Sequence, residues 1–321
     1  MRMNSWRIVA VLLAFVFVHV AQAEQTPSPR QAKKGPLKVF ILAGQSNMEG
    51  QGKINLEPKQ NEGRGTLEYL VKDPNTAARF KHLVDKDGKW VVRDDVWIWY
   101  LDRKGGLTVG YGAKSDKIGP ELQFGNVLGD TLENQVLLIK LAWGGKSLGK
   151  DFRPPSSGGE VGPYYTEIVK QTKEVLANLK THFPEYDGRG YELAGFGWHQ
   201  GWNDRISQAF NEEYEKNMAN FIRDIRKDLG APKLPFVIAE TGMTGPEETH
   251  PRALSLMKAQ AAVAEYPEFK GNVAFVGTRT FWRPKESSPS SQGYHWNNNA
   301  ETYFLIGNAM GEAMKKLLTP K

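Results

Sequence analysis

The fold of this chain is decided by a short apolar run that turns abruptly into a small polar segment, Lys38-Val39-Phe40-Ile41-Leu42-Ala43-Gly44-Gln45-Ser46-Asn47-Met48-Glu49-Gly50. The apolar run shows no alternation of apolar and polar residues, which is typical of a strand covered on both faces in a parallel sheet. Ligands of open α/β sheets bind beyond the carboxyl ends of such strands. The stretch therefore predicts a buried strand that delivers Ser46 to its carboxyl end, although serine and asparagine here are also good helix caps.

The polar segment offers groups that suit acyl transfer. Gly44 permits a close turn, and Gln45, Ser46 and Asn47 supply backbone N–H groups and side chains that can stabilise an oxyanion. Met48 stands where the Gly-x-Ser-x-Gly elbow of α/β-hydrolases has its second glycine, so the turn is of another kind.

This stretch resembles block I of the SGNH hydrolases, in the Gly-Gln-Ser-Asn-Met form of the sialate O-acetylesterase and carbohydrate esterase family 6 branch. The resemblance implies a three-layer α/β/α sandwich with a mainly parallel, flavodoxin-like sheet. It also implies that Ser46 is the nucleophile of a serine esterase. It extends over roughly residues 38 to 312.

The amino terminus predicts a secretory signal peptide. Arg2 and Arg7 precede the apolar run 8–18, and Ala21-Gln22-Ala23 offers a small-residue cleavage site. We expect cleavage after Ala23 and a secreted or periplasmic protein, with an uncleaved membrane anchor as the alternative. Residues 24–36 read as a polar, disordered lead-in, and residues 37–321 as one esterase domain.

Composition excludes several classes of function. The 321 residues contain no cysteine, which rules out disulfides, thiol catalysis and cysteine-ligated zinc. The net charge is +6, and removal of the two leader arginines would lower it to +4. Because no run of Lys and Arg exceeds two residues, we expect neither nucleic-acid binding nor stable membrane insertion after processing. No cofactor or metal is expected; the oligomeric state is left open.

Further apolar runs alternate with helical patterns and extend the parallel sheet. Strands are predicted at 136–141, 192–198, 236–239 and 273–276, and helices at 164–179, 214–229 and 254–264. Another helix is predicted to begin within 118–124, and a final one includes 303–310. Residues 51–115 predict a β-hairpin insertion at the catalytic rim, whose tryptophans either stack on sugars or lie half-buried.

Two of the strands end in segments that resemble further family blocks. Ala142-Trp143-Gly144-Gly145-Lys146-Ser147 is similar to block II, which implies that Gly145 supplies an oxyanion-hole amide, although a plain turn is the alternative. Trp198-His199-Gln200-Gly201-Trp202-Asn203-Asp204 is similar to block III. Here Gln200 is expected to donate to the oxyanion, and His199 either to support the site residues from behind or to contact the substrate, while Trp202 replaces the family's glutamate.

A serine nucleophile at neutral pH requires a general base, normally histidine. His82 and His182 lie in charged, turn-rich segments and His250 in an acidic loop. His295, which precedes the last helical pattern, resembles the histidine of block V. The resemblance makes His295 the base, although a helix cap is the alternative.

The acid of the triad is where the chain departs most from the family pattern, because Gln292 occupies the position of the usual aspartate. Three explanations remain open: a dyad oriented by Gln292 or a backbone carbonyl, a substitute carboxylate, or an inactive protein. Asp204 is the preferred substitute and Glu240 the second. The predicted function is a secreted serine esterase that removes O-acetyl groups from acetylated polysaccharide or sialic acid. The alternative is a catalytically impaired carbohydrate-binding protein of the same fold.

Overall fold

The computed structural model describes residues 35–319. The predicted signal peptide, and all of the predicted lead-in except its last two residues, lie outside the described residues. Across this range of the chain, no helix is long and apolar enough to cross a membrane.

The described residues form nine β-strands in chain order: β1 (Leu37–Gly44), β2 (Gly52–Lys53), β3 (Arg93–Tyr100), β4 (Arg103–Leu107), β5 (Lys117–Ile118), β6 (Val136–Ala142), β7 (Tyr191–His199), β8 (Phe236–Ala239) and β9 (Val273–Val276). Seven of them make one sheet in the order β4-β3-β6-β1-β7-β8-β9, and β2 pairs with β5 separately. All neighbours in the large sheet are parallel except β3 and β4. The predicted mainly parallel sheet is therefore confirmed.

The helices that accompany the sheet are α1 (Ser46–Glu49), α2 (Leu67–Lys72), α3 (Ala77–Phe80), α4 (Glu121–Thr131), α5 (Pro163–Ala177), α6 (Leu179–His182), α7 (Trp202–Ile206), α8 (Gln208–Asp228), α9 (Pro251–Ala264) and α10 (Ala300–Leu318). Side-chain caps fix three of their starts, since Thr66 accepts from the Tyr69 N–H, Ser207 from the Phe210 N–H and Asn299 from the Glu301 N–H. Helix α8 therefore begins earlier than its apolar spacing predicted.

The alternation of side chains along β1 builds two cores. Val39, Ile41 and Ala43 are fully buried in the core that contains residues of α5, α8 and α9. Phe40 and Leu42 are equally buried in the other, which contains residues of α4 and α10. Because both faces of the central strand are covered, its sequence shows an unbroken apolar run. The three-layer α/β/α architecture follows.

The predicted hairpin forms, but it belongs to the central sheet. Strand β3 pairs in parallel with β6 and antiparallel with β4, so the hairpin extends one edge of the sheet rather than standing at a catalytic rim. Trp97 stacks on Phe183 with ring centroids 4.9 Å apart and is buried in the core. This tryptophan therefore packs inside the protein and is unavailable to a sugar.

The topology places the polar turns of three strands at one edge. Strand β1 lies between β6 and β7, and the chain reaches these neighbours by crossovers in opposite directions. The carboxyl ends of parallel strands at such a switch point enclose a crevice that suits a ligand. Ser46, the 142–147 loop and the 199–204 segment follow these three ends.

Candidate active site

Ser46 is the first residue of α1 and follows the end of β1 after a single linking residue. The turn requires glycine before it, because a Cβ on Gly44, whose φ is +153°, would lie 2.2 Å from the carbonyl oxygen of His199. The Gln45 N–H also donates to that oxygen, at 3.3 Å. The turn at Gly44 and Gln45 therefore packs tightly against the carboxyl end of β7.

His295 meets Ser46 across 249 residues of sequence, with Nε2 3.0 Å from Oγ. Within residues 35–319 this is the only hydrogen bond of the imidazole. Burial, together with the positive charge of Lys117, lowers the pKa of His295 to about 4. The ring is therefore neutral at physiological pH and able to accept a proton from the hydroxyl.

An unusual turn presents this histidine. Trp296, Asn297 and Asn298 have φ values of +53°, +55° and +57°, in the left-handed region that residues other than glycine rarely adopt. The two asparagines compensate through their amides, which donate to the carbonyl oxygens of Arg283 (3.0 Å) and Gln51 (3.1 Å). The Asn-Asn-Asn run after His295 supplies these contacts, a role that sequence reasoning missed.

Asn47 connects the serine turn to the histidine turn. Its Nδ2 donates to the Tyr294 carbonyl oxygen at 3.0 Å, and its Oδ1 accepts from the Tyr303 hydroxyl at 2.7 Å. Both ends of this amide are thus engaged within the protein. Its position favours a role in holding the two turns together over the predicted oxyanion or substrate contact.

Two backbone N–H groups are available near the serine. The N–H groups of Ser46 and Gly145 donate to no protein group among residues 35–319. The Gly145 carbonyl oxygen accepts from Asn203 Nδ2 at 2.9 Å, and Asn203 Oδ1 accepts from Gln45 Nε2 at 3.1 Å. This chain of amides ties together the segments that resemble blocks I, II and III. Sequence reasoning missed Asn203, whose only signal was its place beside Trp202.

Asp204 is buried among donors of the neighbouring loop. Its carboxylate accepts from the N–H groups of Leu148 (2.9 Å) and Gly149 (2.8 Å) and from Gln200 Nε2 (2.5 Å). Burial raises the pKa of Asp204 to about 6, although these three hydrogen bonds act in the opposite direction. None of its hydrogen bonds goes to His295. The structure therefore places Asp204 as a support of the loop after β6, and not as the expected partner of the base.

Gln200 is engaged in the same support. Besides Asp204, its Nε2 donates to the Lys146 carbonyl oxygen at 3.0 Å. Both amide protons are used within the protein, so this side chain is not free to donate to an oxyanion as predicted.

In the described part of the chain, the side chains of the other predicted site residues make no hydrogen bond to Ser46 or His295. His199 is 1% exposed, and burial lowers its pKa to about 4, against the effect of backbone groups of Asn47 and Glu240. Gln292 is exposed, and its backbone carbonyl oxygen accepts from the His295 N–H at 2.8 Å. Glu240 accepts from the Thr278 N–H at 2.8 Å. Within the described residues, no carboxylate is hydrogen-bonded to His295.

A buried ion pair between Lys140 and Glu121 contacts the end of the helix that begins with Ser46. Lys140 Nζ, fully buried on β6, donates at 2.7 Å to Glu121 Oε2 and to the carbonyl oxygens of Glu49 and Tyr111. Glu121 is the first residue of α4, within the segment 118–124 where a helix was predicted to begin. Because Glu49 ends α1, the pair fixes the helix that begins with Ser46.

Among residues 35–319, no group of three or more His, Asp or Glu side chains is arranged to hold a metal ion. The chemistry that the arrangement offers is instead a serine hydroxyl beside a neutral imidazole, with two free N–H groups close by. These are the parts of a nucleophilic acyl-transfer site.

Comparisons with known proteins identify the family and the fold. A family model described as carbohydrate esterase, sialic acid-specific acetylesterase, matches residues 36–316. The chain is 28% identical over 221 residues to a probable carbohydrate esterase of Arabidopsis thaliana, covering 66% of this chain and 70% of that protein. The X-ray structure of that Arabidopsis protein matches with a TM-score of 0.56 at 18% identity, covering 88% and 98% of the two chains.

Two further solved structures share the fold. The crystal structure of NanS matches with a TM-score of 0.54 at 13% identity, over 88% of this chain and 97% of its own. A carbohydrate acetylesterase from Xanthomonas citri matches with a TM-score of 0.51 at 12% identity, over 86% of this chain and 56% of its own. Because the family model spans most of the sequence, the chain belongs to the carbohydrate esterase family of sialic acid-specific acetylesterases.

Proposed function

We propose that the protein is a secreted serine esterase that removes O-acetyl groups from carbohydrate. The observation that carries the proposal is the 3.0 Å contact between His295 Nε2 and Ser46 Oγ. Ser46 attacks the ester carbonyl while His295 takes its proton. The carbon–oxygen bond to the sugar then breaks, His295 delivers the proton to the leaving sugar oxygen, and an acetyl-serine remains. Water attacks this ester with His295 as base, and acetate leaves.

The oxyanion of each tetrahedral intermediate is held by the N–H groups of Ser46 and Gly145. Within residues 35–319 neither group has a protein acceptor, which supports this assignment because such donors are worth most when they are fixed and unpaired. Gln45 and Asn203 position the Gly145 peptide through their chain of amides. Gln200 therefore moves from the predicted oxyanion donor to a positioning residue.

The base operates as the histidine of a dyad. Its backbone N–H is held by the Gln292 carbonyl oxygen, and the Asn47 amide fixes the preceding peptide. Asp204 acts at a distance, by holding the loop that bears Gly145. The absence of a charged partner lowers the rate below that of a full triad, in which the carboxylate stabilises the imidazolium.

The substrate class rests on family membership. The family description names sialic acid-specific acetylesterases, and one structural neighbour is described as a carbohydrate acetylesterase. We therefore expect an acetylated polysaccharide or sialic acid. The competing function is carbohydrate binding without turnover, which the missing triad acid favours. Secretion after cleavage at Ala23 and a single esterase domain over residues 37–321 complete the proposal.

Acetate release from acetylated xylan, O-acetylated sialic acid and p-nitrophenyl acetate tests this function. Ser46→Ala and His295→Ala should each lower kcat by several orders of magnitude. Ser255→Ala and His250→Ala, at exposed positions of α9 and the loop before it, are the matched controls. Release of no acetate from any substrate by the unmutated protein would establish the binding function instead.

A further inference from the structure

Tyr294 is an exposed aromatic residue beside the candidate base. Its side chain is 43% exposed, and its ring centroid lies 4.5 Å from that of His295. Its carbonyl oxygen is held by Asn47, so the backbone beneath the ring is fixed to the serine turn. Within the described residues its hydroxyl makes no hydrogen bond to protein. A large aromatic surface with a free hydroxyl thus lies directly beside the reacting atoms.

Trp202 continues this surface on the other side of Tyr294. The two ring centroids are 5.8 Å apart and the planes are tilted by 43°. The guanidinium of Arg205 lies 4.5 Å from the centre of the Trp202 ring and is paired with Glu248 at 3.2 Å. The indole is therefore held in place before any ligand arrives, which lowers the entropy lost on binding.

The charge of this surface is also balanced. Arg205 is the cation in contact with the indole, and the buried carboxylate of Glu248 neutralises it. Aromatic faces contact the apolar C–H faces of sugars, while hydroxyl groups satisfy the sugar's polar edge. The cation whose charge acts on His295 is Lys117, which donates to Gln51 and has no cation–π contact with either ring within the described residues. The two rings themselves therefore suit an uncharged sugar better than an anionic one, whose carboxylate would need an unpaired cation beside them.

We propose that Tyr294 and Trp202 form a platform for the pyranose ring of a neutral acetylated sugar. The inference rests on the proposed function and names its substrate class. The sugar oxygen that leaves must come within hydrogen-bond reach of His295 Nε2. Since Tyr294 adjoins that imidazole, the ring attached to the leaving oxygen extends over the platform. Trp202, which stands where the resembled block III pattern has a glutamate, thereby places an apolar ring at this position.

The test compares kcat/KM for acetylated xylotriose, O-acetylated sialic acid and p-nitrophenyl acetate. In Tyr294→Ala, the ratio of xylotriose ester to p-nitrophenyl ester should fall at least about tenfold, because only the first places a sugar on the platform. Tyr294→Phe should keep that ratio within about threefold, since the ring remains. Tyr191→Ala, which removes a 48% exposed tyrosine at the opposite end of β7, is the control and should leave the ratio unchanged.

Two outcomes overturn the platform. One is an unchanged ratio in Tyr294→Ala, and the other is a larger loss for the sialic acid ester than for the neutral ester. If Tyr294→Ala does not fold, as judged by circular dichroism, Tyr294→Leu replaces it, because leucine keeps apolar bulk without an aromatic face. If the unmutated protein releases acetate and Ser46→Ala abolishes that release, the proposed function stands even where the platform fails. Turnover that survives Ser46→Ala overturns the proposed function itself.

Discussion

Asn47 Oδ1 accepts a hydrogen bond from the Tyr303 hydroxyl at 2.7 Å, although 256 residues separate the two. The same hydroxyl lies 3.2 Å from the carbonyl oxygen of His295. One buried phenol on the last helix therefore contacts the residue after the nucleophile and the backbone of the base. The distance between Ser46 and His295 depends on this link as well as on their own turns.

Tyr303→Phe should lower kcat about tenfold, because small displacements of reacting groups have large effects on rate. It should also lower the free energy of unfolding by roughly 1–2 kcal/mol, since the Asn47 acceptor would be buried without a donor. Steady-state kinetics and urea unfolding measure the two effects. Tyr266→Phe, which removes a less buried hydrogen bond to Glu215, is the control. Equal kinetics for the two variants would show that the link does not position the site.

The pH dependence of the reaction follows from His295. Catalysis needs the neutral imidazole, and burial with the nearby charge of Lys117 lowers its pKa to about 4 from an ordinary 6.5. The acid limb of kcat/KM should therefore lie near pH 4 and not near pH 6.5. A pH–rate profile with p-nitrophenyl acetate checks this. An acid limb near 6.5 would mean that the imidazole is more hydrated, or better paired, than its contacts indicate.

Gln292→Asp restores the carboxylate that the family pattern places three residues before the histidine. A negative charge there should stabilise the imidazolium, raise the pKa of His295 and move the acid limb to higher pH. The rate at neutral pH should stay equal or rise modestly. Gln292→Asn is the matched control without charge. An identical shift in both variants would trace the effect to a changed turn rather than to charge.

The sequence predicted the parallel strands of the central sheet and the pair of residues that meets beyond the end of β1, but it did not predict β2, β4 or β5. These predictions succeeded because an unbroken apolar run such as 39–43 is compatible with few structures, and because the carboxyl ends of parallel strands lie at one edge of the sheet. The partners of individual amides could not be predicted. Gln200 and Asp204 follow the same strand as His199, and only their hydrogen bonds in the folded protein show that they face the neighbouring loop.

The turn around His295 shows a second limit. Three successive left-handed residues after His295 oppose the local preference of Trp296 above all, and they persist because tertiary hydrogen bonds from Asn297 and Asn298 hold them. No local pattern signals such a conformation. A hairpin was likewise predicted within residues 51–115, but its second strand at 103–107 was not. The parallel pairing of its first strand with β6 could not be predicted either, because it depends on a partner more than thirty residues away.

The buried pair of Lys140 and Glu121 should be essential to stability. Lys140→Met would leave Glu121 charged and unpaired in the interior, and we expect a loss of about 3–5 kcal/mol in the free energy of unfolding. Adding Glu121→Gln should recover part of that loss. Urea unfolding measures both, with Lys38→Met as control, since the Lys38–Glu192 pair is largely exposed and contributes at most about 1 kcal/mol. A double variant less stable than Lys140→Met alone would contradict this account.

Asp204→Asn separates a supporting carboxylate from the acid of a triad. An asparagine cannot accept from both the Leu148 and Gly149 N–H groups, because one of its atoms is itself a donor. The loop that bears Gly145 should shift, and kcat/KM should fall at least about tenfold. The acid limb should stay near pH 4, because His295 loses no charged partner. An acid limb displaced to lower pH would instead identify Asp204 as the stabiliser of the imidazolium.

The pH dependence of the free energy of unfolding gives an independent check on the role of Asp204. The folded-state pKa of Asp204 is about 6 against an ordinary 3.8, so the folded protein binds this proton more tightly than the unfolded chain. Its contribution to stability is present below pH 3.8 and is lost as the pH rises through 6. The unmutated protein should therefore lose stability relative to Asp204→Asn between pH 4 and 6, by urea unfolding.

Asp224→Asn, which removes a buried acceptor of the Ser156 N–H and hydroxyl, should leave kcat/KM unchanged. A comparable loss of activity in that variant would mean that any buried carboxylate, and not this loop in particular, sustains the site.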